Sequence, residues 1–264
     1  MARVVAVTNQ KGGVGKTTTC VNLAASLAAT RRRVLLIDMD PQGNATMGSG
    51  VDKNALQLSG YDLLTKRATA QEVCIRADAA GYDLLPANGD LTAAEVELLN
   101  EIGREHRLRI ALNSLREEYD YILIDCPPSL NLLTVNALSA ADSVLIPMQC
   151  EYYALEGLAA LMNTVEQIRE TVNPALEIEG ILRTMYDPRN SLTLDVSAQL
   201  NEYFGEKVYK AVIPRNVRLA EAPSYGLPAL KYDRASKGAI AYLALAGEVV
   251  RRTGLGKPKQ AVAV

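Results

Sequence analysis

Short apolar runs, each about one strand long, recur along this chain and are separated by stretches with helical spacing. They are "RVVAVT" (3–8), "RVLLID" (33–38), "YDLLPA" (82–87), "YILIDC" (121–126), "SVLIPM" (143–148), "EIEGILRT" (177–184) and "KVYKAVI" (207–213). Most are continuously apolar rather than alternating. An alternating strand has one wet face, whereas a continuously apolar one must be covered on both, as in parallel sheets flanked by helices. Between the runs, Cys20, Leu23, Ala24 and Leu27 fall at i, i+3, i+4 and i+7, the stripe of a helix with one buried face. Helices are also expected over 91–118 (as two), 130–140, 155–172, 192–203 and 234–252. Alternating β and α elements predict an α/β fold, a doubly wound and mainly parallel β-sheet with helices on both faces. No repeat, low-complexity tract or linker divides the chain. One domain is expected over 1–253, with 254–264, rich in Gly, Pro and Lys, as a flexible C-terminal tail.

Composition narrows the function classes. Apolar residues are 48% of the 264 and charged residues 22%, ordinary for a globule with a sizeable core. No apolar run approaches the roughly 18–20 residues that span a bilayer. "MARVVAVTNQ" enters a strand pattern directly, without the apolar stretch of a signal peptide, so a cytoplasmic location is expected. Cys20, Cys74, Cys126 and Cys150 include no C-x-x-C pair and are read as reduced and structural. His106 is the single histidine. It cannot build a triad or metal cluster alone and is read as a solvated helix residue. Charge is uneven: residues 1–179 hold 15 Lys and Arg against 23 Asp and Glu, and residues 180–264 hold 13 against 7. The C-terminal third, at +6, suits a polyanion-facing surface or a merely solvated one.

The first strand runs into "NQKGGVGKTTT" (9–19). A glycine-rich turn between a strand and a helix gathers backbone N–H groups into one concavity, where the helix dipole favours phosphate. Gly12, Gly13 and Gly15 permit positive φ and close approach of a ligand to the backbone around Val14. Lys16 is placed to neutralise β- and γ-phosphates, Thr17 to ligate Mg²⁺, and Thr18 to continue the cradle. The usual template G-x-x-x-x-G-K-[ST] fails at position 10, where Gln10 stands. The pattern is instead K-G-G-x-G-K-T, with a second cation at Lys11.

That loop resembles the deviant Walker A motif of the ParA/MinD family of dimerising ATPases, a P-loop NTPase group. The resemblance implies that Lys11 reaches across a homodimer interface to the nucleotide of the partner, with ATP and Mg²⁺ as cofactors. Two further segments are similar to that family. In "VLLIDMDPQGNAT", Asp40 would position the attacking water or the metal's water shell, and Asp38 is read as structural. In "YILIDCPPS", Asp125 would act as the Walker B carboxylate toward Mg²⁺. "VIPRNVRLAEAPSYGLP" (212–228) resembles the ParA branch more narrowly and implies that Pro214 and Asn216 flank adenine. The likeness covers nearly the whole chain. It implies slow ATP hydrolysis, non-specific binding of double-stranded DNA at the nucleoid, and a ParB-type centromere-binding partner, without a membrane step.

For DNA, the basic third offers Arg189 and Arg218 first, and Lys210 and Arg234 after them. No base-reading motif or aromatic row accompanies them. Three other functions share such a loop. A MinD-like membrane cycle needs a bulky amphipathic C-terminal helix, which "RRTGLGKPKQAVAV" does not resemble. An iron–sulfur carrier needs paired cysteines. A small-molecule ligase or kinase would respond to its substrate rather than to DNA.

Overall fold

The computed structural model describes residues 1–254. Arg3–Val7 (β1), Val34–Asp38 (β2), Ile75–Ala77 (β3), Tyr82–Leu85 (β4), Tyr121–Asp125 (β5), Ser143–Gln149 (β6), Glu177–Tyr186 (β7) and Val208–Pro214 (β8) form one sheet. Its order is β3-β4-β2-β5-β1-β6-β7-β8. Every pairing is parallel except β3 with β4. Each of the seven apolar runs became a strand of this sheet. The eighth, β3, has three residues with Arg76 exposed, too short at a sheet edge to leave a periodic signal.

The helices are Lys16–Ala29 (α1), Asn44–Gly48 (α2), Gly60–Leu64 (α3), Ala70–Val73 (α4), Leu91–Glu97 (α5), Arg107–Leu112 (α6), Leu132–Ala140 (α7), Ala154–Thr171 (α8), Ser191–Phe204 (α9), Val217–Glu221 (α10), Ala229–Tyr232 (α11) and Lys237–Thr253 (α12). The two helices expected over 91–118 are α5 and α6, joined by two 3-10 turns. The short helices α2 to α4 were not foreseen. Two of them rest on caps rather than on an apolar stripe: Ser59 with Asp62, and Thr69 with Glu72, form reciprocal capping boxes.

Two cores sit on the two faces of the sheet. Val4 and Ala6 of β1 point into one, with α3, α5, α6, α7 and α8. Val5 and Val7 point into the other, with α1, α11 and α12. β2 and β5 are buried at every position, which is why their sequences do not alternate. Each buried Leu, Ile or Val contributes about 1.5–3 kcal/mol, so this double covering holds the central strands rigidly.

His106 differs from its expectation. Its Nδ1 lies 2.7 Å from the Ser139 hydroxyl of α7, so it ties a 3-10 turn to that helix instead of standing in solvent. The four cysteines are free thiols, three of them buried. Among the described residues no helix is long and apolar enough to cross a membrane. The tail expected over 254–264 lies, apart from Gly254, outside the described residues.

Candidate nucleotide-binding site

β1 occupies the middle of the sheet, between β5 and β6. The chain leaves it toward β2 on one side and returns through β5 toward β6 on the other, so the strand order reverses here. Ligands of open α/β sheets bind beyond the carboxyl ends of strands at such a point. The register sets what meets there: Asp125 pairs with Val7 on one side and with Asp38 on the other. Two carboxylates on adjacent strands therefore end level with the start of the glycine loop.

Within the loop, Gly13 has φ +74° and Gly15 φ +89°. Gly12, expected to share this conformation, is not among the positive-φ residues; its role is open space, since a Cβ there would meet nothing within 4 Å. Gly15 is the N-cap of α1 and supplies no side-chain cap. The first N–H groups of this 14-residue helix therefore lack a capping side chain, and no acidic residue occupies the first turn. That is an anion cradle at the positive end of a helix. Lys16 lies in it, only 7% exposed, with its Nζ donating to the Lys11 carbonyl at 3.2 Å. Burial lowers its pKa, and Asp125 acts against that. An ammonium held this way is short of partners and is matched by a polyphosphate.

Side chains from neighbouring elements fix the loop. The Asn9 carboxamide accepts from the Lys11 N–H at 2.9 Å and donates to the Pro147 carbonyl of β6. Gln10, which stands where the usual template has glycine, donates to the Thr164 hydroxyl of α8 at 3.1 Å. Thr184 of β7 donates its hydroxyl to the Val14 carbonyl at 2.8 Å. Lys11 alone among the loop cations turns outward. Its ammonium is 2.6 Å from the Glu151 carboxylate between β6 and α8, and both side chains are about half exposed (50% and 44%).

The carboxylates have different surroundings. Asp38 is fully buried and accepts from the Thr46 N–H and hydroxyl, both at 2.8 Å, and from the Asp40 N–H at 3.1 Å. It anchors the segment that carries Asp40, consistent with a structural role. Gly43 completes the turn at φ +60°, where a Cβ would come within 2.7 Å of the Ala87 carbonyl oxygen. Asp40 is partly exposed and accepts from the Gln42 N–H at 2.9 Å. Asp125 is fully buried. Its Oδ1 accepts from the Cys20 thiol at 3.4 Å, and its Oδ2 has no hydrogen-bond partner. Burial raises the pKa of Asp125 to about 8, and the charge of Asp38 adds to the rise. Burial likewise raises Asp38 to about 6, against its hydrogen bonds from Thr46.

The buried, unpartnered Oδ2 of Asp125 and the Thr17 hydroxyl, which hydrogen-bonds the same carboxyl, form a hard-oxygen donor set that fits Mg²⁺. Among the described residues no group of three or more His, Cys, Asp or Glu could hold a metal alone. That too suits Mg²⁺, which usually takes one or two protein oxygens and completes its shell with water and substrate phosphates.

A cavity of about 190 Å³ opens beside the cradle, lined by Gly15, Thr18, Thr184, Met185, Pro214 and Asn216 among others. The structure thus brings the two residues expected to flank a base, Pro214 and Asn216, next to the loop. Asn216 also caps α10, accepting from the Arg218 N–H at 3.0 Å. Met185 holds φ +49°, unusual for a side chain with a Cβ.

The four residues expected at DNA are not drawn into one cluster by local contacts. Arg189 is 89% exposed and paired with Asp187 at 2.7 Å. Arg218 is paired with Glu221 at 2.8 Å and Asp233 at 3.3 Å. Lys210 and Arg234 are exposed and have no ion-pair partner among the described residues.

A family model described as an AAA domain matches residues 2–178. The chain is 54% identical over 249 residues to the sporulation initiation inhibitor protein Soj of Bacillus subtilis, covering 94% of this chain and 98% of that one. It is 52% identical over 252 residues to the chromosome partitioning protein ParA of Caulobacter vibrioides, covering 95% and 94%. The chain belongs to the ParA/Soj family of chromosome-partitioning ATPases. Among solved structures, cobyrinic acid a,c-diamide synthase from Mycobacterium smegmatis with bound ATP analogue and magnesium superposes with a TM-score of 0.84 at 39% identity, covering 98% of this chain and 99% of that one. Solved structures similar to this chain hold an ATP analogue or ADP with magnesium, and the donor set above agrees with ATP and Mg²⁺ as the cofactors.

Several residues of the site escaped the sequence reading. Asn9 could have been found, because an Asn two positions before a loop N–H is an Asx-turn signal. Glu151 and Thr184 sit at or just past the carboxyl ends of β6 and β7, where the sheet rule places ligands, but their partners are about 140 and 170 residues away in sequence. Thr46 and Cys20 carried no local signal.

Proposed function

We propose that the protein is an ATP-dependent DNA-partitioning switch. In this reading the cradle holds ATP, with Lys16 and the helix N–H groups on the β- and γ-phosphates and Pro214 and Asn216 along the base. Thr17 and Asp125 would hold magnesium, whose charge would offset that of the phosphates. Asp40 accepts a hydrogen bond from the water that attacks the γ-phosphate. Two copies close face to face, each offering Lys11 to the triphosphate of the other. The paired subunits hold double-stranded DNA through phosphate contacts, a ParB-type centromere-binding protein stimulates hydrolysis, and the separated subunits leave the nucleoid.

The observation that carries this reading is the difference between the two loop lysines. Lys16 is buried in its own cradle, whereas Lys11, five residues earlier, is half exposed at the rim and, among the described residues, its ammonium is paired with Glu151. A cation so placed serves its own triphosphate poorly and is free to serve a second one, where a closed, water-poor interface strengthens attraction. Light scattering of wild type and Lys11→Ala with ATP and magnesium tests it. Wild type should double in mass and the variant should remain monomeric; a dimer of the variant sinks the reading.

The 39% identity to cobyrinic acid a,c-diamide synthase supports a second reading, ATP-driven amide formation on a small carboxylic acid. ATP turnover measured with cobyrinic acid and glutamine, and separately with DNA and a ParB-type protein, separates the two.

A further inference from the structure

Asp125 and Cys20 are both fully buried, one at the end of β5 and the other one turn into α1, three residues after Thr17. The thiol lies 3.4 Å from Oδ1, and Oδ2 accepts nothing. The neighbouring carboxylate offers no donor, since Asp38 is itself an acceptor of three hydrogen bonds. The terminal torsion of an aspartate is broad and roughly two-fold, so packing alone does not choose between its oxygens. A donor on one oxygen does, and two side chains supply one here: the Cys20 thiol, and the Thr17 hydroxyl that is itself assigned to the ion.

We propose that Cys20 is a positioning residue for the divalent ion. Its S–H occupies Oδ1 and so sets the carboxylate plane, leaving Oδ2 unshared for the Thr17 hydroxyl and the ion's water shell. This rests on the reading that Asp125 and Thr17 hold the ion. A thiol is a weak donor, but it acts here on a desolvated carboxylate, where hydrogen bonds gain strength. The alternative is that Cys20 only fills space as a small apolar side chain. The two roles separate by substitution. Valine keeps the bulk and loses the donor, alanine loses both, and serine keeps a donor with less bulk.

The experiment titrates Mn²⁺ into the full chain saturated with ADP, by electron paramagnetic resonance, and measures ADP affinity separately in EDTA. Cys20→Val and Cys20→Ala should weaken Mn²⁺ binding about tenfold, the scale of one hydrogen bond to a charged group. Cys20→Ser should stay within about twofold of wild type, and ADP affinity in EDTA should be the same for all. Thermal melts confirm that each variant is folded; should the valine fail, the alanine–serine comparison decides alone. Mn²⁺ affinity unchanged in Cys20→Val, or lost equally in Ser and Ala, overturns the role of the thiol. Asp125→Asn is the control. If it too leaves Mn²⁺ affinity unchanged, the metal assignment of Asp125 fails and the role of Cys20 fails with it. If it lowers affinity while Cys20→Val does not, only the positioning role is lost.

Discussion

The ammonium of Lys11 and the carboxylate of Glu151 meet at 2.6 Å on the rim of the nucleotide site. The cation that the proposed dimer needs in trans is thus engaged in cis when the chain is alone. The restraint is light, because exposed ion pairs contribute about 0–1 kcal/mol and weaken with salt. A neighbouring triphosphate brings more negative charge than one glutamate and can draw the lysine away.

Removing the cis partner should therefore favour pairing slightly. Glu151→Gln should tighten the ATP-dependent dimer by up to about fivefold, measured by analytical ultracentrifugation across a protein dilution series. A looser dimer would show that Glu151 helps to build the interface instead of restraining Lys11.

Lys16→Ala should abolish ATP and ADP binding in isothermal titration calorimetry. The ammonium is buried within the cradle, and nothing else in the loop supplies positive charge there. Melting temperature without nucleotide should be kept or raised, because a desolvated ammonium is removed. Retained micromolar affinity would contradict the assignment.

Asp125 and Asp38 make the nucleotide-free protein sensitive to pH. Their folded pKa values are raised from 3.8, to about 8 and about 6. The stability from this pair is fully present below 3.8 and is lost as pH rises through 6 and then 8. Asp125→Asn removes the upper part of that slope. At pH 8 it should be more stable than wild type by about 1–3 kcal/mol, the scale of a buried unsatisfied group, and near pH 4 the advantage should vanish. Urea melts at the two pH values check this.

Thr184→Val keeps the shape of the side chain and deletes its donor to the Val14 carbonyl. The orphaned buried carbonyl should cost about 1–3 kcal/mol, and the loosened loop should bind ADP more weakly while the sheet stays intact. Chemical denaturation and titration calorimetry measure the two effects. Unchanged ADP affinity would confine Thr184 to folding.

Ion pairing reorders the candidates for DNA contact. Arg189 and Arg218 must first leave local carboxylates, a light cost for exposed pairs, while Lys210 and Arg234 have no ion-pair partner among the described residues. In the ATP-bound state, Lys210→Glu with Arg234→Glu should lower DNA affinity more than Arg189→Glu with Arg218→Glu does. It should also flatten the log–log salt dependence, since each lost phosphate contact removes about 0.9 from the slope. Fluorescence anisotropy on a random duplex at several salt concentrations decides it.

Much of this molecule was legible before folding. Strands buried on both faces cannot alternate, so β1, β2 and β5 announced themselves as apolar runs. The cradle was legible for a related reason: phosphate binding by backbone N–H groups needs Gly13 and Gly15 within one short stretch of sequence, at the start of a helix. Short elements were not legible. β3 has three residues, and α3 and α4 are defined by caps, so neither leaves a period to detect.

The sequence by itself determined what local chemistry requires: a parallel sheet, a glycine loop with two lysines, and aspartates ending two strands. Only the tertiary structure decided which of those groups face one another. Register set Asp38 beside Asp125, packing of α1 brought Cys20 to Asp125, and the turn after β6 delivered Glu151 to Lys11. Hydrogen bonds and ion pairs act over a few ångströms, whereas these partners are separated by 87 to 140 residues along the chain. No local pattern encodes such distances, and folding alone brings the pairs together.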